Sequence, residues 1–193
     1  MIKKISNFET SIHVLGDNHE DLLDKTNQLD DALTRLRYEG KLCLKKNIRS
    51  AEKLVGFFNA TMLPHIVVED ILFDFVERHI PKIQIVVRHL QSEHKELTAC
   101  LKEMAQLLRR LAAQKSEPRR AEIIERVKER GTYLSHFMRQ HIQIEHDSIY
   151  LIAMEELQPA EKRRLLQKLH DCPSWKALLK NGAGRTRPWK GRL

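Results

Sequence analysis

Two short stretches of the chain, PHIVVED around His65 and Glu69 and RQHIQIEHD around His141 and Glu145, carry the same His-Ile-x-x-Glu arrangement. Residues four apart on a helix lie on one face, so each pair offers an imidazole nitrogen and a carboxylate to the same small volume. Together these donors suit a borderline divalent metal such as iron, and a carboxylate can bridge two ions. The spacing alone is weak evidence. With ten histidines and 26 acidic residues, chance supplies about one His-x-x-x-acid pair. The sequence has four, the others being His13/Asp17 and His89/Glu93. An internal repeat sets two of the four apart: His19, His65 and Glu69 recur as His94, His141 and Glu145 at offsets of 75, 76 and 76 residues. Each half then offers one helix with a histidine and one with a histidine–glutamate pair, as a pseudo-twofold binuclear site in a four-helix bundle requires.

Long helices must bring these residues together. Only 7 glycines and 6 prolines interrupt the 193 residues, and Leu, Glu, Lys, Arg and Gln dominate long periodic segments, so the chain reads as all-α. A first helix is predicted from Asp17, capping the Glu20 amide, to near Gly40, with Leu22, Leu29, Leu33 and Leu36 inward. A second should run from near Asn47 to His79, burying Leu54, Phe58, Met62, Ile66, Phe73 and Val76, and Pro64 should kink it just before His65. The third spans Pro81 to near Gln114. The fourth spans Pro118 to near Leu157, with Ser116 as its cap and Gly131 as a local weakness. A short fifth helix should follow from Pro159 to near His170, and then a flexible stretch, CPSWKALLKNGAGRTRPWKGRL. Short connections favour an antiparallel up-down-up-down bundle over residues 1–171, with 172–193 as a basic tail. Phe58, Met62, Leu72, Val87, Leu90, Leu97, Leu134 and Phe137 are expected to wall the site.

At these residues, over roughly 13 to 157, the sequence resembles the hemerythrin family, specifically its HHE cation-binding branch, closest in pattern to the iron-centre repair type that responds to nitrosative stress. The resemblance implies a non-haem centre of two iron ions with an oxo or hydroxo bridge. Residue by residue, His19 stands at the first-helix ligand, His65 and Glu69 at the second-helix pair, His94 in SEHKEL at the third-helix ligand, and His141 and Glu145 at the fourth-helix pair. It further implies His19 and His65 on one iron, His94 and His141 on the other, and both glutamates bridging. Oxygen-carrying hemerythrins differ in having a second third-helix histidine four residues earlier, where this chain has Leu90. His89 is a poor substitute, because five residues carry it about 140° round the helix from His94. Both irons would keep an open position for a small diatomic ligand, oxygen or nitric oxide. That favours redox reaction, sensing or iron delivery over oxygen carriage. The alternatives are an iron-dependent regulatory module acting on a partner through the tail or fifth helix, and a peroxidase or nitric oxide reductase.

Other metal chemistry does not fit the spacing. No histidine has the glutamate three positions earlier that ferritin-like di-iron sites use, and His19-Glu20 is followed by Leu23 where a zinc protease needs histidine. His13, His79, His89, His136, His146 and His170 are read as ordinary residues, with Asp70, Glu93 and His146 as candidate partners for the ligands. Cys43, Cys100 and Cys172 are odd in number and far apart, and read as reduced thiols. Of the net charge of +8, six charges fall after Pro173 with no acid to offset them. A short basic tail of this kind argues against a nucleic-acid face. Trp175 and Trp189 within it leave room for contact with nucleic acid, an anionic membrane or an acidic protein partner, a solubilising or disordered extension being the plainer reading. No run of 18 apolar residues occurs, and the opening MIKKISNFETSIHVLGD lacks a signal-peptide centre, so a cytoplasmic protein without a membrane span is expected.

Overall fold

The computed structural model describes residues 7–182, which form helices and short links with no strand among them. Four long helices lead: α1 (Phe8–Tyr38), α2 (Gly40–His79), α3 (Gln84–Ala113) and α4 (Glu117–Ile144). α1 begins well before Asp17, because Asn7 supplies the cap, its side-chain oxygen accepting the Thr10 N–H at 2.7 Å. Asp17 therefore lies inside the helix. Gly40 turns the chain into α2 at φ +71°, a left-handed conformation that glycine adopts without a Cβ clash. α2 also starts earlier than expected. Asn47 is not its first residue but a tie across the turn, donating to the Arg35 carbonyl at 3.1 Å and the Glu39 carboxylate at 3.0 Å. The helix continues through Pro64. By length and composition α2 is apolar enough to cross a membrane, but Met62, Ile66, Val68, Leu72, Phe73 and Val76 are buried inside the protein.

Ile80 and a 3-10 turn, Pro81–Ile83, join α2 to α3. Ahead of α4 the Ser116 carbonyl accepts the Arg120 N–H at 3.0 Å. The expected fourth helix does not wind uniformly. At Glu145 it widens into a single π-helical turn, Glu145–Tyr150, before α5 (Leu151–Glu156). Ser148 Oγ bonds back to the Ile144 carbonyl, competing for an acceptor of the helical ladder. α6 (Pro159–Asp171) is capped by Glu161, whose carboxylate accepts the Gln158 N–H at 2.8 Å.

The stretch after Cys172 departs from expectation, since Pro173–Gly182 forms a further helix, α7. Trp175 and Leu178 sit three apart and are buried, so the segment is amphipathic beneath its basic composition. Trp175, offered above as a contact residue, is only 1% exposed. Trp189 lies outside the described residues.

The described residues form two compact units. One comprises the described residues up to Asp21, Thr61–His94 and the described residues from His141 onward. Its core includes Leu15, Leu72, Phe73, Leu90, Ile149, Leu165, Leu169 and Trp175. The other comprises Leu22–Ala60 and Lys95–Gln140 and buries Leu29, Leu33, Phe58, Leu97, Leu101, Met104, Val127 and Leu134. Of the expected wall residues, Met62, Leu72, Val87 and Leu90 are buried in the first unit, while Phe137, in the second, is only half-buried.

Candidate metal centre

All six residues singled out by the repeat fall in the first unit. α1 carries His19, α2 His65 and Glu69, α3 His94 and α4 His141, and the π-helical turn opens on Glu145. None is more than 4% exposed. The two four-residue pairs share a face as the spacing requires, with His65 Nε2 2.9 Å from Glu69 Oε1 and His141 Nε2 3.0 Å from Glu145 Oε1. Both carboxylates also reach the other helices. His19 Nε2 stands 3.1 Å from Glu69 Oε1 and 3.2 Å from Glu145 Oε2, and His94 Nε2 stands 3.4 Å from Glu69 Oε2 and 3.5 Å from Glu145 Oε1. One donor atom each from Glu69, His94, His141 and Glu145 lies within 4.8 Å of the others, and so do those of His19, His65 and Glu69. Glu69 is common to both groups.

This donor set fits metal. Among the described residues, both Glu145 oxygens are buried and accept no hydrogen bond. His65 Nε2 and His19 Nε2 face each other at 2.7 Å. Lone pairs crowded together away from water are costly unless a proton or cation takes them up. Four imidazoles and two carboxylates are the donors that borderline divalent ions accept.

Behind this layer, three ring nitrogens have partners. His94 Nδ1 lies 2.8 Å from Asp70 Oδ1, His141 Nδ1 2.7 Å from Glu93 Oε2, and His19 Nδ1 2.8 Å from His146 Nε2. Asp70, Glu93 and His146 are thus placed as the sequence suggested. His89 adds to this layer at 3.2 Å from Glu93. The sequence reading missed Tyr150, which is buried, donates its hydroxyl hydrogen bond to Glu69 Oε1, and stacks on His19 with ring centroids 5.6 Å apart. On an ideal α-helix it would lie about 140° round from Glu145. The π-helical turn, with its longer i to i+5 repeat, lets both point inward.

The ionisation pattern of the metal-free cluster follows. Burial favours neutral rings, yet the neighbouring carboxylates of Asp70, Glu145 and Glu69 lift His94 to about 11. Burial is likewise outweighed at His141, which Glu145 and then Glu93 raise to about 9. At Glu69, burial is overcome by the field of His65 and by hydrogen bonds from His19, His65 and His94, which hold the carboxyl well below its ordinary value. Glu145 is held low by His141 and His94 against burial and the repulsion of Glu69. Burial lowers His65 against the pull of Glu69, so the compensating positive charge rests chiefly on His94 and His141. His146 falls to about 4 through burial and the neighbouring His19, and Tyr150 is pushed well above its usual value by burial and both glutamates.

Fold and cluster together define an all-helical cation-binding protein. The family model described as the hemerythrin HHE cation binding domain matches residues 10–153, and the chain belongs to that family. A comparison with curated proteins returns no match.

Proposed function

We propose that the protein is a non-haem di-iron protein that binds or reacts with oxygen or nitric oxide, in sensing, stress response or iron handling. The supporting observation is that Glu69 and Glu145 each lie within 3.5 Å of histidines from both proposed pairs. His19 and His65 would hold one ion, His94 and His141 the other, with Glu69 and Glu145 shared. When bound, two iron ions supply open coordination positions and one-electron chemistry toward a small ligand. The protein's own part is to hold the donors in place, exclude water and keep a phenolic proton beside Glu69. Leu90, fully buried one turn before His94, contributes hydrocarbon and no donor. Each ion would therefore keep room for an outside ligand.

Elemental analysis with an optical spectrum of the protein as purified tests this reading. About two irons per chain are expected. Glu69→Ala and Glu145→Ala should each lose most of the iron, and His136→Ala, at an exposed position, should lose none. Protein that is fully folded yet takes up no metal would overturn the proposal. Multiple-turnover assays with peroxide or nitric oxide separate an enzyme from a stoichiometric binder.

One observation favours a second reading, an iron-dependent regulatory module. Leu165, Leu169, Trp175 and Leu178 of α6 and α7 join the core that contains Val68, Leu72 and Phe73, close in sequence to Glu69. Limited proteolysis should then show cleavage after Leu157 that depends on metal. Identical patterns with and without metal would dismiss it.

A further inference from the structure

The two histidine pairs differ in what stands behind them. Both rings of one pair meet carboxylates, Asp70 at 2.8 Å from His94 Nδ1 and Glu93 at 2.7 Å from His141 Nδ1, and Glu93 is itself held 3.2 Å from His89. In the other pair, His19 Nδ1 meets a ring nitrogen of His146 at 2.8 Å. His65 Nδ1 is buried with no hydrogen-bond partner among the described residues. Since Glu69 and Glu145 serve both pairs, the difference lies in Asp70 and Glu93.

We infer that the two metal positions are unequal, the His94/His141 position holding its ion more tightly and the His19/His65 position releasing first. This rests on the reading that the six residues hold two ions. A coordinating imidazole that donates its second N–H to a carboxylate is a more basic donor with a fixed ring orientation, and losing such a partner typically costs 10- to 100-fold in affinity. One position has two such partners and, among the described residues, the other has none. Asp70 and Glu93 act here as positioning residues, touching the rings and not the ions. The consequence is a form with one ion retained and one exchangeable.

Metal-free protein titrated anaerobically with cobalt(II), followed by visible absorption and calorimetry, tests this. Two equivalents should bind in steps separated by roughly tenfold or more. A chelator should then remove one equivalent quickly and the second slowly. Asp70→Asn and Glu93→Gln keep an acceptor but remove the charge, so each should weaken the tight step about tenfold and leave the weak step in place. Circular dichroism checks their folding, and the wild-type titration carries the test if either variant fails to fold. Two equal steps, or variants that weaken only the weak step, would overturn the inference and leave the two-metal reading standing. Uptake of one equivalent or none would overturn that reading itself.

Discussion

Buried carboxylates need partners, and without metal Glu69 and Glu145 find theirs in protonated imidazoles. His94 and His141 are raised from 6.5 to about 11 and about 9. Their contribution to the stability of the metal-free fold is therefore fully present below about pH 6.5 and is lost as pH rises through 9 toward 11. Glu69 and Glu145 are depressed, so theirs is present above about pH 4.5 and is lost on acidification. Denaturant midpoints of metal-free protein should fall on both sides of neutrality, and a midpoint still rising at pH 10 would contradict this charge assignment. Metal must displace the same protons. Filling the cluster at pH 7 should release about two protons, those of His94 and His141, read by calorimetry in buffers of different ionisation enthalpy. Tyr150 makes a separate contribution through its hydrogen bond to Glu69. Tyr150→Phe should cost about 1–3 kcal/mol of stability, because the acceptor is charged and buried. Metal content should hardly change, since no donor to the ions is removed. Chemical denaturation paired with elemental analysis reads both.

Among the elements, α4 carries a glycine because α1 leaves no space for more. A Cβ at Gly131 would lie 2.3 Å from Leu33 Cδ1 and 3.2 Å from Met104 Cε. Leu33 is itself buried, so it has little freedom to move aside. Alanine would gain about 1 kcal/mol in helix propensity but overpack at about 1–3 kcal/mol. Gly131→Ala should therefore be destabilising or at best neutral, and Leu33→Ala in the same chain should relieve it, giving a double mutant less impaired than the two single effects summed. A plain gain in stability from Gly131→Ala would show that Leu33 can yield. Further along the same stretch, the π-helical turn sets which residues of Glu145–Tyr150 face inward, an arrangement that an unbroken α-helix cannot provide.

For the molecule as a whole, the last described helix is part of the core. Trp175 is 1% exposed among Leu165, Leu169 and Leu178. Trp175→Ala should cost about 3–5 kcal/mol, while Trp175→Phe should cost less, because the indole N–H has no hydrogen-bond partner among the described residues to lose. Denaturation curves of the two variants decide, and two small, equal effects would place α7 outside the cooperative unit. Metal should also stabilise the entire fold, since ions that bind only the folded state shift unfolding by mass action. Equal melting temperatures with and without metal would count against a buried centre. What the sequence by itself determined is what depends on neighbours along a helix: the all-α class, the inward stripes, and His65/Glu69 and His141/Glu145 as one-turn pairs repeated at an offset of 76 residues. Packing decided the rest. Asn7 and Asp17 are both good caps, and nothing local chooses between them. The amphipathic spacing of Trp175 and Leu178 was masked by basic neighbours, and Tyr150 faces Glu69 only because the helix widens there. That His94 and His141 are backed by carboxylates while His65 Nδ1 is not depends on residues 24 and 48 positions apart meeting across helices, a contact that no periodicity encodes.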